Sequence, residues 1–130
     1  MKRILFKPSV LFFVFLMTLV VGVGQPREVN AAAHITFNAT SVNLPGGCTE
    51  IEGVFLNSGD SGATVYAAAM KVNISDTNGN HIRSDSCNFS NMSVYVPAGS
   101  QIRHRFTIHN GKCPRYNGRI RWNVNNDIWF

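Results

Sequence analysis

Arginine is the residue type in this 130-residue chain whose spacing most clearly suggests binding chemistry. Four arginines occupy alternate positions in two segments near the carboxyl end: Arg103, Arg105, Arg119 and Arg121. If both segments are β-strands that pair as a hairpin, the four side chains share its outer face, because strand residues alternate between sides. Like charges opposite each other destabilise a sheet, and guanidinium groups bind carboxylate, sulfate and phosphate. We call these four arginines, together with Lys71, the "arginine face". It predicts binding of an anionic polysaccharide or an acidic protein. The alternative is that the charges only keep an exposed sheet face soluble.

The segment between the two arginine-bearing strands is a second candidate site. It contains Lys112, followed by Arg115 and Tyr116 in the sequence from Cys113 to Gly118. Arginine and tyrosine are enriched among the residues that contribute most to protein interfaces. The alternative function is therefore a small secreted effector or inhibitor whose Cys113–Gly118 loop inserts into a partner.

The three cysteines limit which disulfide bonds can cross-link the domain. A secreted chain with Cys48, Cys87 and Cys113 can form one internal disulfide. If the strands alternate up and down, Cys87 and Cys113 emerge at one end and Cys48 at the other, which favours a Cys87–Cys113 disulfide. Such a bridge is worth about 3 kcal/mol. Cys48 is then a free thiol, either buried and unreactive or available for intermolecular, metal or redox chemistry.

The residue types that commonly act in catalysis or bind metals do not occur here in the spacing that an active site or a metal site requires. The four histidines show no metal-ligand spacing, and no protease or transpeptidase signature surrounds Cys48. Glu50 and Glu52 share one strand face and are either a carboxylate pair or charges that protect a sheet edge. No glycine-rich phosphate loop precedes a helix. We therefore expect a non-enzymatic protein without a metal or a cofactor.

The amino-terminal segment has the features of a secretory signal peptide. Lys2, Arg3 and Lys7 precede an uncharged and mostly apolar run over residues 9–24, and small residues follow. This pattern predicts a signal peptide over residues 1–31, cut after Ala31 or Ala33, and a β-rich domain over residues 34–130. The mature protein would then be extracellular, periplasmic or on the cell surface, and not an integral membrane protein. An uncleaved anchor is the alternative, although the run is shorter than the roughly 20 residues that span a bilayer.

Removal of this leader changes the charge balance. The whole chain carries a net charge of +5. After cleavage at Ala31, eight Lys and Arg side chains face six Asp and Glu side chains, for a net charge of +2. Such a small net charge gives no reason to expect binding to nucleic acid. Six of the eight cations nevertheless lie in residues 101–130, which contain Asp127 as the one acid.

The mature chain alternates apolar and polar residues and is interrupted by turn residues, which is typical of a small antiparallel β-sandwich. The predicted strands are Ile35–Leu44, Glu50–Asn57, Thr64–Ser75, His81–Ser84, Met92–Val96, Gln101–His109 and Gly118–Val124. The predicted inward-facing residues are Tyr66, Ala68, Met70, Val72 and Ile74 in Thr64–Ser75, Ile102, His104, Phe106 and Ile108 in Gln101–His109, and Ile120, Trp122 and Val124 in Gly118–Val124. The segment Glu50–Asn57 shows no single apolar face, so its orientation stays open.

Three motifs in fixed order resemble a known family. They are Glu52-Gly-Val-Phe-Leu-Asn57, a turn with Asp76 and Gly79, and Val96-Pro-Ala-Gly-Ser100. Their order is similar to that of bacterial extracellular immunoglobulin-like domains of the FxLYD type, over about sixty residues. The namesake Phe-x-Leu-Tyr-Asp string is absent, and residues 72–76 stand in its place. The resemblance implies one immunoglobulin-like sandwich of about seven strands, used as an accessory or binding module, and no catalytic residues.

Overall fold

The computed structural model describes residues 31–130, so the basic and apolar parts of the predicted signal peptide lie outside the described residues. Eight β-strands occupy this range, and it contains no helix that could cross a membrane. The strands are β1 (Ile35–Asn43), β2 (Cys48–Asn57), β3 (Ala63–Val65), β4 (Ala67–Asp76), β5 (His81–Phe89), β6 (Val94–Val96), β7 (Gln101–His109) and β8 (Ile120–Trp129). The predicted all-β class is confirmed.

The strands form two three-stranded sheets and one two-stranded sheet. The first sheet has the order β1-β2-β7, the second sheet has the order β5-β4-β8, and β3 pairs with β6. Every pairing is antiparallel. The first and second sheets share one hydrophobic core, to which Phe55 and Phe106 come from the first sheet and Met70 and Val72 from the second. This arrangement agrees with a β-sandwich.

Aromatic side chains fill the centre of that core. The Phe37 ring lies 5.0 Å from the rings of Phe55 and Phe106, in edge-to-face geometry. From the second sheet, Phe89 approaches Phe106 with ring centroids 4.9 Å apart. Edge-to-face contacts at this range add about 0.5–1.5 kcal/mol per pair beyond burial. Because each ring stands at an alternate strand position, the period of two in the sequence places them all on the inner faces.

Strand β2 has a clear inner face that its apolar residues alone do not reveal. Thr49, Ile51, Gly53, Phe55 and Asn57 are buried, and the residues between them are only half-buried. A side chain at Gly53 would clash with the Asn38 carbonyl oxygen and the Phe37 ring, because the neighbouring strand β1 pairs Ala39 with Gly53 and has a register shift next to it. Glycine and two polar residues therefore occupy inward positions, which explains why the hydrophobic pattern of this strand is ambiguous.

The predicted long strand Thr64–Ser75 is broken at Tyr66. The part before Tyr66 is β3, and the part after it is β4, in the second sheet. The break shifts the alternation: Val65 is 0% exposed and Tyr66 is 54% exposed, the reverse of the prediction. From Ala68 to Ile74 the predicted inner face is confirmed, since the four apolar residues on it are buried.

Strands β5 and β8 each extend five residues beyond their predicted ends. The structure extends β5 to Phe89 and β8 to Trp129, where the sequence predicts ends at Ser84 and Val124. Both extensions are rich in Asn, Ser and Asp, which favour turns in isolation. They stay extended because β4 lies between them and hydrogen-bonds to both. Tertiary pairing therefore overrides local propensity here.

Strands β5 and β6 run in the same direction. β3 and β4 follow each other with only Tyr66 between them, β5 is antiparallel to β4, and β6 is antiparallel to β3. The amide of Met92 donates to the Tyr66 carbonyl and continues the pairing across the break. The chain therefore makes no reversal between β5 and β6, whereas a strict up-and-down order assumes one.

Candidate functional site

The predicted arginine face does not form as a single surface. β7 pairs with β2, and β8 pairs with β4, so these strands belong to different sheets and form no hairpin. Arg103 and Arg105 lie on the outer face of the first sheet, while Arg121 lies on the outer face of the second. Because the sheets pack through their inner faces, these outer faces point in opposite directions. The prediction failed because consecutive strands of a sandwich often lie in different sheets.

Lys71 and Arg121 share the outer face of the second sheet, yet they are separated along it. Lys71 lies opposite Asn125, and Arg121 lies opposite Ser75. Four residues of extended chain correspond to about 13 Å. The proposed extension of an arginine cluster by Lys71 is therefore also wrong in this structure.

Arg105 is paired with acids that the sequence did not assign to it. Its Nε donates a 2.8 Å hydrogen bond to Glu52 Oε2, its Nη2 contacts the same oxygen, and Glu50 lies 3.9 Å from Nη1. The Glu52 hydrogen bond, with the charges of Glu52 and Glu50, raises the pKa of Arg105. β2 is the central strand of its sheet, so these glutamates are not edge charges. The negative charges of Glu50 and Glu52 neutralise the positive charge of Arg105, so Arg105 is poorly suited to bind a separate anion.

A different pair of arginines does come together, in what we call the basic cleft. The β1–β2 connection and the segment before β8 form an open cleft of about 530 Å³. Its lining is Val42, Asn43, Leu44, Pro45, Arg115, Tyr116, Asn117, Gly118, Arg119 and Ile120. No acid is among these residues, and neither arginine forms an ion pair within residues 31–130.

Backbone contacts hold the two walls of the basic cleft together. The Tyr116 amide donates a 3.0 Å hydrogen bond to the Leu44 carbonyl, and the Gly47 amide donates a 2.8 Å bond to the Cys113 carbonyl. The ring of Tyr116 is half-buried and packs against the core. Arg115 Nε donates 2.8 Å to Asn117 Oδ1, which orients its guanidinium. Lys112 is exposed in the turn after β7 and does not line the cleft.

The basic cleft combines residues that the sequence assigned to two separate hypotheses. Arg119 was predicted as part of the arginine face, whereas Arg115 and Tyr116 were predicted as a protruding loop. The glycine turn at Gly46 and Gly47, with φ of 103° and 73°, carries the β1–β2 connection across this segment. No sequence signal pairs that turn with residues 114–119, because the contact is made by backbone groups.

The cysteines are all free in the structure, so the predicted Cys87–Cys113 disulfide is not present. Cys48 lies opposite His109 in the β2–β7 pairing, so the start of β2 and the loop after β7 meet at the same end of the domain. The strand count that separated Cys48 from Cys113 is wrong, because β5 and β6 run in the same direction. Cys87 faces inward from β5 and packs against the core.

A polar cluster joins the two sheets near Cys48. Asp85 Oδ2 accepts a 2.5 Å hydrogen bond from Thr49 Oγ1 and a 3.2 Å bond from Asn110 Nδ2. Arg83 Nη2 donates to Thr49 Oγ1 at 2.9 Å and to the Cys48 carbonyl at 3.0 Å, and its Nε lies 3.3 Å from Asp85 Oδ2. The Arg83 and Asp85 side chains are only 12% and 11% exposed. The sequence did not predict this cluster, because Asp85 lies beyond the predicted end of β5 at Ser84.

Within residues 31–130 no group of three or more His, Cys, Asp or Glu side chains could hold a metal ion. No family model, curated protein or solved structure matches this chain. The functional argument therefore depends on the fold and the surface chemistry of the described residues: an all-β domain with a basic cleft at one end.

Proposed function

We propose that this chain is a secreted, non-enzymatic immunoglobulin-like module that binds an anionic ligand, such as a cell-surface polymer, in the basic cleft. The observation that carries the proposal is that Arg115 and Arg119 line one cleft without any acid. Two planar guanidinium groups can each bind a carboxylate, sulfate or phosphate through paired hydrogen bonds. The absence of acids leaves their charge for a ligand.

The size and shape of the basic cleft suit a small charged group on a longer molecule. Its volume of about 530 Å³ lies within the roughly 300–1,000 Å³ typical of ligand pockets. The cleft is open to solvent, so a charged group that belongs to a longer molecule can enter it. Asn43 and Asn117 add amide donors and acceptors that suit sugar hydroxyl groups.

The leader and the first described residues support secretion of the domain. The basic and apolar segments of residues 1–24 have the order of a signal peptide. The Ala32 carbonyl accepts a 2.9 Å hydrogen bond from the Asp60 amide, so this residue makes contacts with the folded domain. Cleavage after Ala31 keeps that contact, while cleavage after Ala33 removes it. We therefore favour Ala31 as the last residue of the leader.

The alternative of an inserting loop receives less support from the geometry. Tyr116 is half-buried and packs against the core, and its amide is bonded to Leu44. A side chain held in this way is a wall of a cleft and a poor anchor for insertion into a partner. We therefore assign Arg115 and Tyr116 to ligand binding in the cleft.

Heparin chromatography tests the proposed function. The double variant Arg115→Ser with Arg119→Ser should elute from immobilised heparin at lower salt than the wild type. The matched control is Arg103→Ser with Arg121→Ser, which removes the same charge outside the cleft. If the two variants elute together, retention reflects net charge alone and the proposal fails. If the control variant elutes at lower salt than the cleft variant, the anionic ligand binds outside the basic cleft and the proposal also fails.

A further inference from the structure

The outer face of the second sheet carries a groove that the basic cleft does not include. Its volume is about 500 Å³, and it runs across β5, β4 and β8. Five outward-facing polar residues line it, namely Lys71, Ser86, Asn88, Asn125 and Asp127, with Ala69 at its floor; the inward-facing Asn126 and Met70 complete the lining. We call this the amide groove.

The composition of this face runs against strand propensity. Its outward positions include Asn73, Ser84, Ser86, Asn88, Asn123, Asn125 and Asp127. Asn and Asp are depleted in strands, where exposed positions favour Thr, Val and aromatic residues. None of these side chains contributes to the core, so folding does not require them. A local departure from the preferences of a strand is expected where a surface has a function.

The hydrogen-bonding groups of the amide groove are available to a ligand. Within residues 31–130 the side chains of its five outward-facing polar residues form no hydrogen bond and no ion pair, whereas Asn126 Nδ2 points inward and donates a 3.2 Å hydrogen bond to the Phe37 carbonyl. On the same face, by contrast, Ser84 Oγ donates a 2.6 Å bond to Asn73 Oδ1. Each asparagine amide offers two donors and one acceptor, and Asp127 adds acceptors.

An exposed tryptophan stands beside the groove. Trp129 is 45% exposed and has the same outward orientation in β8 as Asn125 and Asp127. It lies opposite Ala67, and Asp127 lies opposite Ala69. Two alanines next to the indole leave room for a flat ligand to approach the sheet. Trp129 and Asp127 are about 7 Å apart along the strand, so a chain of linked sugar rings can contact both side chains.

We propose that the amide groove and Trp129 form a binding surface for a neutral polysaccharide chain. The apolar face of a pyranose ring stacks on the indole, while its hydroxyl groups, which both donate and accept, pair with the amides and the carboxylate. Lys71 and Asp127 carry opposite charges, so the groove has no net charge and offers a polyanion no advantage. The residues involved are separate from those of the basic cleft, and the inference does not depend on the proposed function.

Affinity electrophoresis tests this surface with four soluble neutral polysaccharides: glycol chitin, hydroxyethyl cellulose, mannan and amylopectin. At least one should retard the full chain, and salt should hardly alter the retardation. Trp129→Ala should weaken binding by about tenfold or more, because the stacking surface is lost. The double variant Asn125→Ala with Asp127→Ala should also weaken it. Tyr95→Ala, which removes another exposed aromatic ring outside the groove lining, is the matched control.

Two further variants make the outcome decisive. Ala69→Tyr fills the floor of the groove with a residue that strands favour, so it should fold and block binding. Arg115→Ser with Arg119→Ser should leave neutral binding intact, which separates this surface from the basic cleft. The proposal is overturned if none of the four polymers retards the chain, or if folded Ala69→Tyr binds as the wild type does. A change of oligomeric state in the groove variants without polysaccharide binding would likewise assign the face to a second copy of the chain.

Discussion

The side-chain amide of Asn57 donates a 3.0 Å hydrogen bond to the carbonyl of Val96 and so joins the ends of β2 and β6. The same side-chain amide donates a 2.8 Å hydrogen bond to the Ser61 carbonyl. The Asn57 Oδ1 atom accepts hydrogen bonds from the backbone amides of His34 and Gly59, at 3.1 and 2.9 Å. Asn57 is 0% exposed; its bond to Val96 is buried, and the other three bonds are partly buried. Asn57 ends the first motif of the family resemblance, and its role is structural.

Replacement of Asn57 by leucine should destabilise the domain strongly. It removes four hydrogen bonds and leaves two carbonyl and two amide groups of the backbone without partners. Each buried unpaired group costs about 1–3 kcal/mol, so we expect a loss of about 3 kcal/mol or more in urea unfolding. Asn38→Ala, at an exposed position of β1, is the control and should stay within about 0.5 kcal/mol. A loss below about 1 kcal/mol for Asn57→Leu would show that water or local rearrangement replaces the amide.

Replacing one partner of the Arg83–Asp85 ion pair should destabilise the domain more than replacing both partners. Asp85→Val leaves the Arg83 guanidinium mostly buried without its carboxylate, which typically costs about 3–5 kcal/mol. Arg83→Met combined with Asp85→Val replaces both charges by apolar groups and should recover a large part of that loss. Chemical denaturation of both variants and the wild type measures the difference. Equal stability of the single and double variants would mean that water solvates the remaining charge.

The stability of the domain should depend on pH through His104. Half-burial of its imidazole among aromatic rings lowers its pKa below the ordinary histidine value of 6.5. The unfolded chain therefore binds a proton more readily than the folded chain, so stability falls as pH decreases through 6.5 toward the folded pKa. Below that folded pKa this contribution changes no further. His104→Phe should make the melting temperature less dependent on pH between 6.5 and the folded pKa. An unchanged profile of melting temperature against pH would mean that another group causes the dependence.

Oxidation should link Cys48 to Cys113 and leave Cys87 as a thiol. The 2.8 Å bond from the Gly47 amide to the Cys113 carbonyl brings the neighbour of Cys48 to Cys113, and a disulfide requires close Cα atoms. Cys87 lies four residues along β5 from Arg83, which contacts the Cys48 carbonyl, and this corresponds to about 13 Å. Peptide mapping of the oxidised protein identifies the bridge. Cys87→Ser should leave it intact, and a Cys87–Cys113 peptide would contradict the strand arrangement.

The sequence by itself determined which side chains face the core in most strands. In β7 the alternation predicts Phe106 and Ile108 inside and Arg103 and Arg105 outside, as the structure has them. A period of two is a local property of extended chain, so it can be read without knowing which strands are neighbours. The all-β class follows from the same alternation and from the turn residues between strands.

Only the tertiary structure decided which strands pair and which charges meet. β7 joins β2, where Glu52 faces Arg105, and β8 joins β4, where Arg121 faces Ser75. The Asn-rich end of β8 and the Ser-rich end of β5 are extended because β4 supplies their hydrogen-bond partners. Arg115 and Arg119 share a cleft because backbone bonds bring Leu44 against Tyr116. Strand pairing is made by backbone groups that every residue carries, so side-chain patterns limit the possible partners without selecting one.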